Sequence, residues 1–393
     1  MVALIEDRVR VEVADIFGVG IIGVGEAILE YSYPALRKLE KDGLIRIVSI
    51  ADRHDIGGTK HNLTLRSGKY PKERKSVDEI LTRLVNGEIE HYKTEGDRFN
   101  PSSNGVFNSA DMFYLATPNN VRLGLVDQIA GAGKNLIVEK PLGHTSGVVN
   151  DITDLVRASR IKSICAEHYS YKDPSLSFFS DFDERTKKFG KINFIEGFLI
   201  EDDFLEAERY SWLLDPTLSG GGIWLDNGCH MMHLLYSTGA RLVEVVRAKS
   251  YRYPFSSEDL RDKIVKSETA ADVILRLRDD NGRVANDAYG HIRVAKCKPK
   301  SLKYFKVCFE KGEVFLDYLN NSISYTDRSG SEPKFEKEMI EKTNPYENML
   351  TRFIDYLKNG KEPPTVMNRI KASTDALFEV YGRMKRGDPR EFY

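Results

Sequence analysis

Residues Ile16-Phe-Gly-Val-Gly-Ile-Ile22 form an apolar run, Gly23-Val-Gly25 follows at its end, and a helical pattern then extends to about Lys41. Strand, glycine turn and helix in that order open a βαβ unit. Gly43 sits where a helix C-terminal glycine belongs, and Leu44 to Ala51 reads as a second strand that ends in Asp52. Two registers of the glycine pattern compete. Gly18-x-Gly20-x-x-Gly23 satisfies the letters but places the turn inside the apolar run. Gly23-x-Gly25-x-x-Ile28 lacks the last glycine yet places the turn at the end of the run, and is preferred.

Outward from this unit the alternation continues. Between His54 and Asp111 a polar loop, an amphipathic helix over Val77 to Val85 and a short strand at Ile89 to Tyr92 are expected, with a surface excursion around 101–105. Order returns with a strand at Met112 to Ala116, a helix from Val121 to Ala132 and a strand at Asn135 to Val138. A helix at Ser146 to Ala158 and a strand at Lys162 to Ala166 follow. Such alternation implies a doubly wound, parallel, Rossmann-type sheet.

Beyond Ala166 strands follow one another: Ile192–Ile200, Leu242–Ser250, Val273–Leu277, Val284–Ile292, Tyr304–Phe309 and Glu313–Leu316. Asn281-Gly282 and Lys311-Gly312 are read as hairpin turns. The expected fold class is therefore α/β, with a second α+β part built on a large, open, mostly antiparallel sheet. Domains are placed at 1–166, for a dinucleotide, and 167–393, for substrate and oligomerisation. The helix after Asp226 and the final helices (345–393) should cover the sheet, the latter packing back toward the first domain. The first of them starts at Asn344-Pro345, a cap with proline at the first helical position, and ends at Gly360.

Composition bounds the partners. The 393 residues carry a formal net charge of −1 with no basic stripe, which argues against nucleic acid and anionic membrane and leaves small molecules and protein surfaces. No apolar run is long enough to span a bilayer and the first ten residues do not resemble a signal peptide, so a soluble, cytoplasmic protein is expected. Cys165, Cys229, Cys297 and Cys308 are scattered without a Cys-x-x-Cys pair, which suggests buried thiols, with neither a disulfide framework nor a thiolate zinc site; no metal is expected.

A glycine turn leading into a helix N-terminus suits a pyrophosphate, because backbone can approach it closely and unpaired N–H groups point at it. Gly23, Gly25, Glu26 and Ala27 are the candidates there. Asp52 would accept from the adenosine ribose hydroxyls, although it lies somewhat farther on than the roughly 20 residues usual for that role. Arg53 beside it would suit a 2′-phosphate, so NAD is favoured and NADP stays open.

Several motifs together resemble the Gfo/Idh/MocA oxidoreductases: Val19 to Gly25 with Pro34-Ala-Leu36, Ala116-Thr-Pro-Asn119, Glu139-Lys-Pro-Leu-Gly143, and Gly220-Gly-Gly-Ile-Trp-Leu-Asp-Asn-Gly-Cys-His230. The resemblance spans nearly the whole chain. It implies a nicotinamide-dependent dehydrogenase acting on a sugar or cyclitol. Ala116, Thr117, Pro118, Asn119, Glu139 and Lys140 would then line the cofactor site, and Lys140, Asp226 and His230 would do the chemistry. A second resemblance lies over the first half. Tyr33-Pro-Ala-Leu36, Gly96-Asp-Arg-Phe99 and Glu167-His-Tyr-Ser-Tyr-Lys172 are similar to glucose-6-phosphate dehydrogenase, whose Asp-His-Tyr-x-x-Lys element helps bind the sugar phosphate. Glu167 replaces the aspartate, and the later pattern of that enzyme is missing.

The residue types fit the chemistry. Oxidising a secondary alcohol needs a base, which the His230 imidazole can be, and an ammonium such as Lys140 to favour the developing alkoxide. If Leu225 to Tyr236 is one helix, Asp226 shares a face with His230 and would orient it or hydrogen-bond the substrate. Substrate would meet Lys140, Asp226, His230 and, just past a strand end, His168, Tyr169 and Lys172. Arg209 or Arg122 would help hold a phosphate, and Trp212 or Trp224 would stack on a sugar. The competing readings are local: His233 and Cys229 as packing, Glu139 as a structural carboxylate, 168–172 as a solvated loop, and the tryptophans as core. A homodimer or homotetramer is expected from the open sheet. A dinucleotide-binding sensor without turnover is the alternative function, although it has no need of Lys140, Asp226 and His230 together.

Overall fold

In the computed structural model, residues 16–69, 71–99, 105–201, 215–252, 267–279, 281–296, 301–387 and 392 are described. Their backbone forms two sheets. The first contains β1 (Phe17–Ile22), β2 (Ile45–Asp52), β3 (Glu90–Glu95), β4 (Arg98–Phe99), β5 (Met112–Leu115), β6 (Asn135–Val138) and β7 (Ser163–Cys165), in the order β4-β3-β2-β1-β5-β6-β7. All pairings are parallel except β3 with β4. Its helices are α1 (Tyr33–Lys41), α2 (Ile56–Lys69), α3 (Arg74–Val85), α4 (Val106–Ser109), α5 (Arg122–Gly131) and α6 (Ser146–Ser159). This is the doubly wound arrangement, and strand order reverses between β1 and β5, where such sheets bind ligands.

The second sheet contains β8 (Ile192–Glu201), β9 (Arg241–Tyr251), β10 (Ala270–Arg278), β11 (Val284–Lys296), β12 (Leu302–Phe309), β13 (Gly312–Asp317), β14 (Ser322–Asp327), β15 (Lys334–Met339) and β16 (Lys385–Arg386). Their order is β15-β14-β13-β12-β8-β11-β10-β9-β16. Only β8 with β11 and β9 with β16 are parallel among its pairings. Helices α7 (Asp173–Ser180), α8 (Phe182–Phe189), α9 (Pro216–Ser219), α10 (Ile223–Asp226), α11 (Gly228–Ser237), α12 (Pro345–Asn359) and α13 (Met367–Arg383) complete the chain.

Burial divides accordingly. Phe178, Phe182, Met231, Met232, Leu235 and Leu377 from α7, α8, α11 and α13 pack on one face of the second sheet against Ile195, Leu275, Ile292 and Val307. Each such side chain contributes roughly 1.5–3 kcal/mol when removed from water. Tyr346, Met349, Leu350 and Phe353 of α12 join the core of the first sheet instead. Of the final pair, then, only α13 covers the second sheet. Helices α7 and α8 share that work, although no element was expected between Ala166 and Ile192.

Other expectations are corrected. The supposed polar loop after His54 is largely α2. Strands β14 and β15 were not foreseen; all six residues of β15 are exposed, as on an edge with no buried face to pattern it. The Lys311-Gly312 turn falls one residue earlier, and Gly312 opens β13, where a Cβ would stand 2.7 Å from the Phe189 ring. The first helix begins as a π-helical turn at Ala27–Ser32 before α1, with the Tyr33 N–H donating to the Ile28 carbonyl. Pro34, which has no N–H to give, breaks the α-helical ladder at that point. Among the described residues no helix is long and apolar enough to cross a membrane.

Candidate active site

The glycine turn lies at the end of β1, as the preferred register requires. Gly18 and Gly20 are inside the strand, where a Cβ would stand 2.8 Å from the Ser109 carbonyl oxygen and 2.5 Å from the Phe113 ring, so they serve close sheet packing. Gly23 has φ +83°, its N–H donates to the Ala51 carbonyl at 2.9 Å, and a Cβ would press on the Ala116 carbonyl. At Gly25 a Cβ would meet nothing within 4 Å, so backbone is open to a ligand there. Glu26 and Ala27 start the helical turn that follows. Asp52 ends β2 beside this turn and accepts from the His54 N–H at 3.4 Å. Arg53 donates to the His54 ring at 3.1 Å.

Across the switch point, Ala116 N–H donates to the Ile22 carbonyl at 2.8 Å, which sets the Ala116-Thr-Pro-Asn119 corner against the glycine turn. Asn119 donates to the Ser219 carbonyl at 2.9 Å. Thr117 Oγ1 and Asn119 Oδ1 are buried without a hydrogen-bond partner among the described residues, although buried polar atoms are generally paired. Open backbone at Gly25, with two buried unpaired oxygens in the corner set against the glycine turn, fits a bound dinucleotide.

Glu139 is buried and accepts from the Tyr114 hydroxyl at 2.8 Å and from the Lys140 N–H at 3.2 Å; burial holds its pKa above the ordinary carboxylate value. It braces the Lys140 backbone, next to a cis Lys140–Pro141 bond. Arg122 is buried and spends its donors on the carbonyls of Thr117, Glu139 and Pro141. The expectation that it helps hold a phosphate is therefore corrected: it staples this corner.

Lys140 Nζ lies 2.6 Å from Asp226 Oδ1, and Lys296 Nζ lies 2.9 Å from Asp226 Oδ2. Burial opposes charge on all three groups, but the two ammoniums override it and hold the Asp226 carboxyl far below its ordinary value, while both lysines are raised. Lys296, at the end of β11, has no motif around it and was not foreseen.

Asp226 does not share a continuous helix with His230. α10 ends at Asp226, Asn227 intervenes and donates to Glu201 at 2.9 Å, and α11 starts at Gly228, where a Cβ would strike the Trp224 ring at 2.8 Å. The carboxylate that orients His230 is instead Glu167, whose Oε2 lies 2.5 Å from Nδ1. Burial would favour neutral Glu167, but the imidazole beside it carries its pKa down to about 2; burial lowers His230 itself, with Glu167 opposing. An ionised Glu167 assigns the His230 proton to Nδ1 and leaves Nε2 with a lone pair, the form a general base needs. A further unforeseen carboxylate, Glu268, accepts from the N–H groups of Gly222 and Trp224 at 3.1 and 3.0 Å and from the Tyr381 hydroxyl at 2.6 Å, fixing the start of α10.

His168 and Tyr169 pack against His230, with ring centroids 4.6 and 4.7 Å away. His168 also stacks on Tyr346 at 5.2 Å, and burial pushes its pKa well down, so the ring is neutral. Lys172 Nζ stands 4.5 Å above the Tyr169 ring and 5.8 Å from that of Tyr318. Among the described residues it has no carboxylate partner. Burial, then the charges of Lys303 and Lys342, lower its pKa to about 8, with the carboxylates of Glu201 and Asp173 opposing from a distance.

His233 is buried, contacts Ser373 at 3.4 Å and is lowered by burial to about 4, in keeping with packing. Trp224 is fully buried and donates to the Leu377 carbonyl at 3.1 Å, so the expectation of a sugar-stacking ring there is corrected. Arg209 and Trp212 lie outside the described residues. The site thus joins Lys140, His168, Tyr169, Lys172, Asp226 and His230, and adds Glu167 and Lys296. The Glu167-His-Tyr-x-x-Lys172 spacing was the one signal that could have flagged Glu167.

No family model and no curated protein matches this sequence. Solved structures do. The solved structure of levoglucosan dehydrogenase in complex with NADH and levoglucosan matches with TM-score 0.71 and 16% identity, over 94% of this chain and 98% of that one. Aldose-aldose oxidoreductase from Caulobacter crescentus matches at 0.69 and 16%, over 94% and 97% of the two chains. KijD10, a 3-ketoreductase from Actinomadura kijaniata in complex with NADP and TDP-benzene, matches at 0.68 and 13%, over 95% and 99%. At such identities the likeness is one of fold.

Proposed function

We propose that the chain is an oxidoreductase of the Gfo/Idh/MocA type, which exchanges hydride between a ring carbinol of a sugar phosphate or cyclitol phosphate and NAD, with NADP as the alternative that Arg53 would serve. The observation that carries this reading is the convergence of two organised pairs, Lys140 with Asp226 and Glu167 with His230, next to a glycine turn open to a ligand. Neighbours of this fold hold NADH with levoglucosan and NADP with TDP-benzene, which supports a nicotinamide and a sugar-like ligand.

Gly23, Gly25, Glu26 and Ala27 would hold the pyrophosphate, Asp52 the ribose, and Ala116 to Asn119 the nicotinamide end together with Glu139 and Lys140. A bound nicotinamide supplies the hydride acceptor. In the oxidising direction His230 Nε2 takes the hydroxyl proton, and Glu167 stabilises the imidazolium that results. Lys140 turns from Asp226 toward the carbinol oxygen and lowers the cost of negative charge there, while Lys296 keeps Asp226 compensated.

The anionic substituent follows from Lys172. An ammonium in an aromatic wall, lowered to about 8 because burial and two lysines outweigh the more distant Glu201 and Asp173, has no carboxylate in direct contact among the described residues, and a phosphate on the substrate would supply that contact. The test is a panel of hexose phosphates, cyclitol phosphates and their unphosphorylated parents with NAD and NADP, followed by nicotinamide absorbance. Turnover is expected among the phosphates. Dinucleotide binding with no turnover on any member would support a sensor instead.

A further inference from the structure

We propose that Glu167, Cys229 and His230 together form a binding site for one thiophilic divalent cation of the Zn2+ class, which on entering blocks the base. The ligand atoms of these three buried residues, one carboxylate oxygen, one thiol sulfur and one imidazole nitrogen, all lie within 4.8 Å of one another. Oxygen, sulfur and nitrogen donors from three residues, with a water in the fourth position, are a set that Zn2+ takes up tetrahedrally. The sulfur excludes Mg2+ and Ca2+, which prefer oxygen alone.

The cation would stand where the proton between Glu167 and His230 now stands. Those two atoms are 2.5 Å apart, whereas bond lengths of about 2.0–2.3 Å to a tetrahedral centre need ligands about 3.3–3.8 Å apart. The dyad must therefore open by about 1 Å. Cys229 and His230 sit in the first turn of α11, after the interruption at Asn227, and Glu167 lies in the short turn beyond β7. Cys229 Sγ now donates to the Asp226 carbonyl at 3.1 Å and interacts with the Glu167 carboxylate, and burial together with that carboxylate holds the thiol well above its ordinary pKa, so the cation has to displace the thiol proton to bind.

Charge is compatible. Glu167 and a Cys229 thiolate neutralise a dication, while the Lys140 and Lys296 ammoniums are engaged by Asp226. On binding, the thiol proton leaves to solvent and the Nδ1 proton re-enters the ring at Nε2, so one proton is released for each cation. Nε2 then carries a proton and can no longer accept one. This loss of turnover rests on the proposed function; the site itself does not. No Cys-x-x-Cys spacing announces it, because the donors come from two distant segments.

The test is titration of the full chain with Co2+, which absorbs in the near ultraviolet when bound to thiolate. One equivalent is expected to produce the thiolate band, and Zn2+ to abolish it by displacement. Cys229→Ala should lose the band, Glu167→Gln should weaken it at least tenfold in affinity, and Cys165→Ala should keep it. Absence of the band from the wild-type chain, or its persistence in Cys229→Ala, overturns the proposal. If Cys229→Ala does not fold, the wild-type and Glu167→Gln titrations decide, since an unchanged Co2+ affinity in the latter removes Glu167 from the ligand set. A chain that forms the band yet turns over no sugar loses the dehydrogenase reading and keeps the metal site.

Discussion

Two lysine-bearing regions on either side of the His168–His230 ring pair differ in how their charge is met. Around Asp226 both ammoniums, Lys140 and Lys296, have a carboxylate oxygen within 3 Å, and the group is held fully ionised. Around Lys172 the ammonium faces two tyrosine rings, no carboxylate among the described residues is in direct contact, and burial with two further lysines outweighs the more distant Glu201 and Asp173, so that its pKa falls to about 8. The first region is compensated within the protein alone; the second has no carboxylate in direct contact among the described residues, and under the proposed function a substrate anion would supply one. The contrast separates preorganisation from recognition.

Removing a charge should therefore change stability in opposite directions at the two places. Asp226→Asn leaves two buried ammoniums facing each other and should destabilise by about 3–5 kcal/mol, read by urea or thermal unfolding. Lys172→Met removes a charge that burial disfavours and should stabilise the unliganded chain, by an amount on the order of 3 kcal/mol at neutral pH from the lowered pKa. The same variant should raise KM for a phosphorylated sugar about 10- to 100-fold and leave the unphosphorylated parent unaffected. Loss of stability in both variants would erase the distinction.

The pH dependence sharpens it. A lysine with a folded pKa of about 8, below its unfolded value near 10.4, binds fewer protons in the native state between those two values. Stability of the unliganded chain should accordingly rise with pH across about 8 to 10.4, while affinity for a phosphorylated substrate falls as pH passes 8. Lys172→Met should abolish both trends, and identical pH profiles in the two proteins would count against Lys172 as the anion receptor. The smallest effect is expected at Gly25→Ala: stability to unfolding unchanged within about 0.5 kcal/mol, because the added methyl meets open space, with weakened dinucleotide binding by titration.

Most of the fold was legible because its signals are local. The apolar run ending in Gly23-Val-Gly25, the alternation through Val138 and the capped α12 each declare themselves in a few residues. What escaped has nonlocal causes. Strand β15 buries nothing and so carries no alternation, and α2 lacks a strong apolar stripe. In the site, Lys140, Asp226 and His230 stood in recognisable strings, but the partners that organise them did not. Lys296 reaches Asp226 from the end of β11, 70 residues away, and Glu167 reaches His230 across 63. The assumption of one helix through Asp226 and His230 concealed the second pairing, because it assigned to Asp226 the orienting role that Glu167 fills.

The most direct measurement is single-turnover formation of reduced nicotinamide at saturating dinucleotide and sugar phosphate, in wild type and in His230→Ala. With Glu167–His230 as the base, the variant should bind dinucleotide with unchanged Kd and transfer hydride about 10²- to 10⁴-fold more slowly. Equal rates in the two proteins would contradict the account.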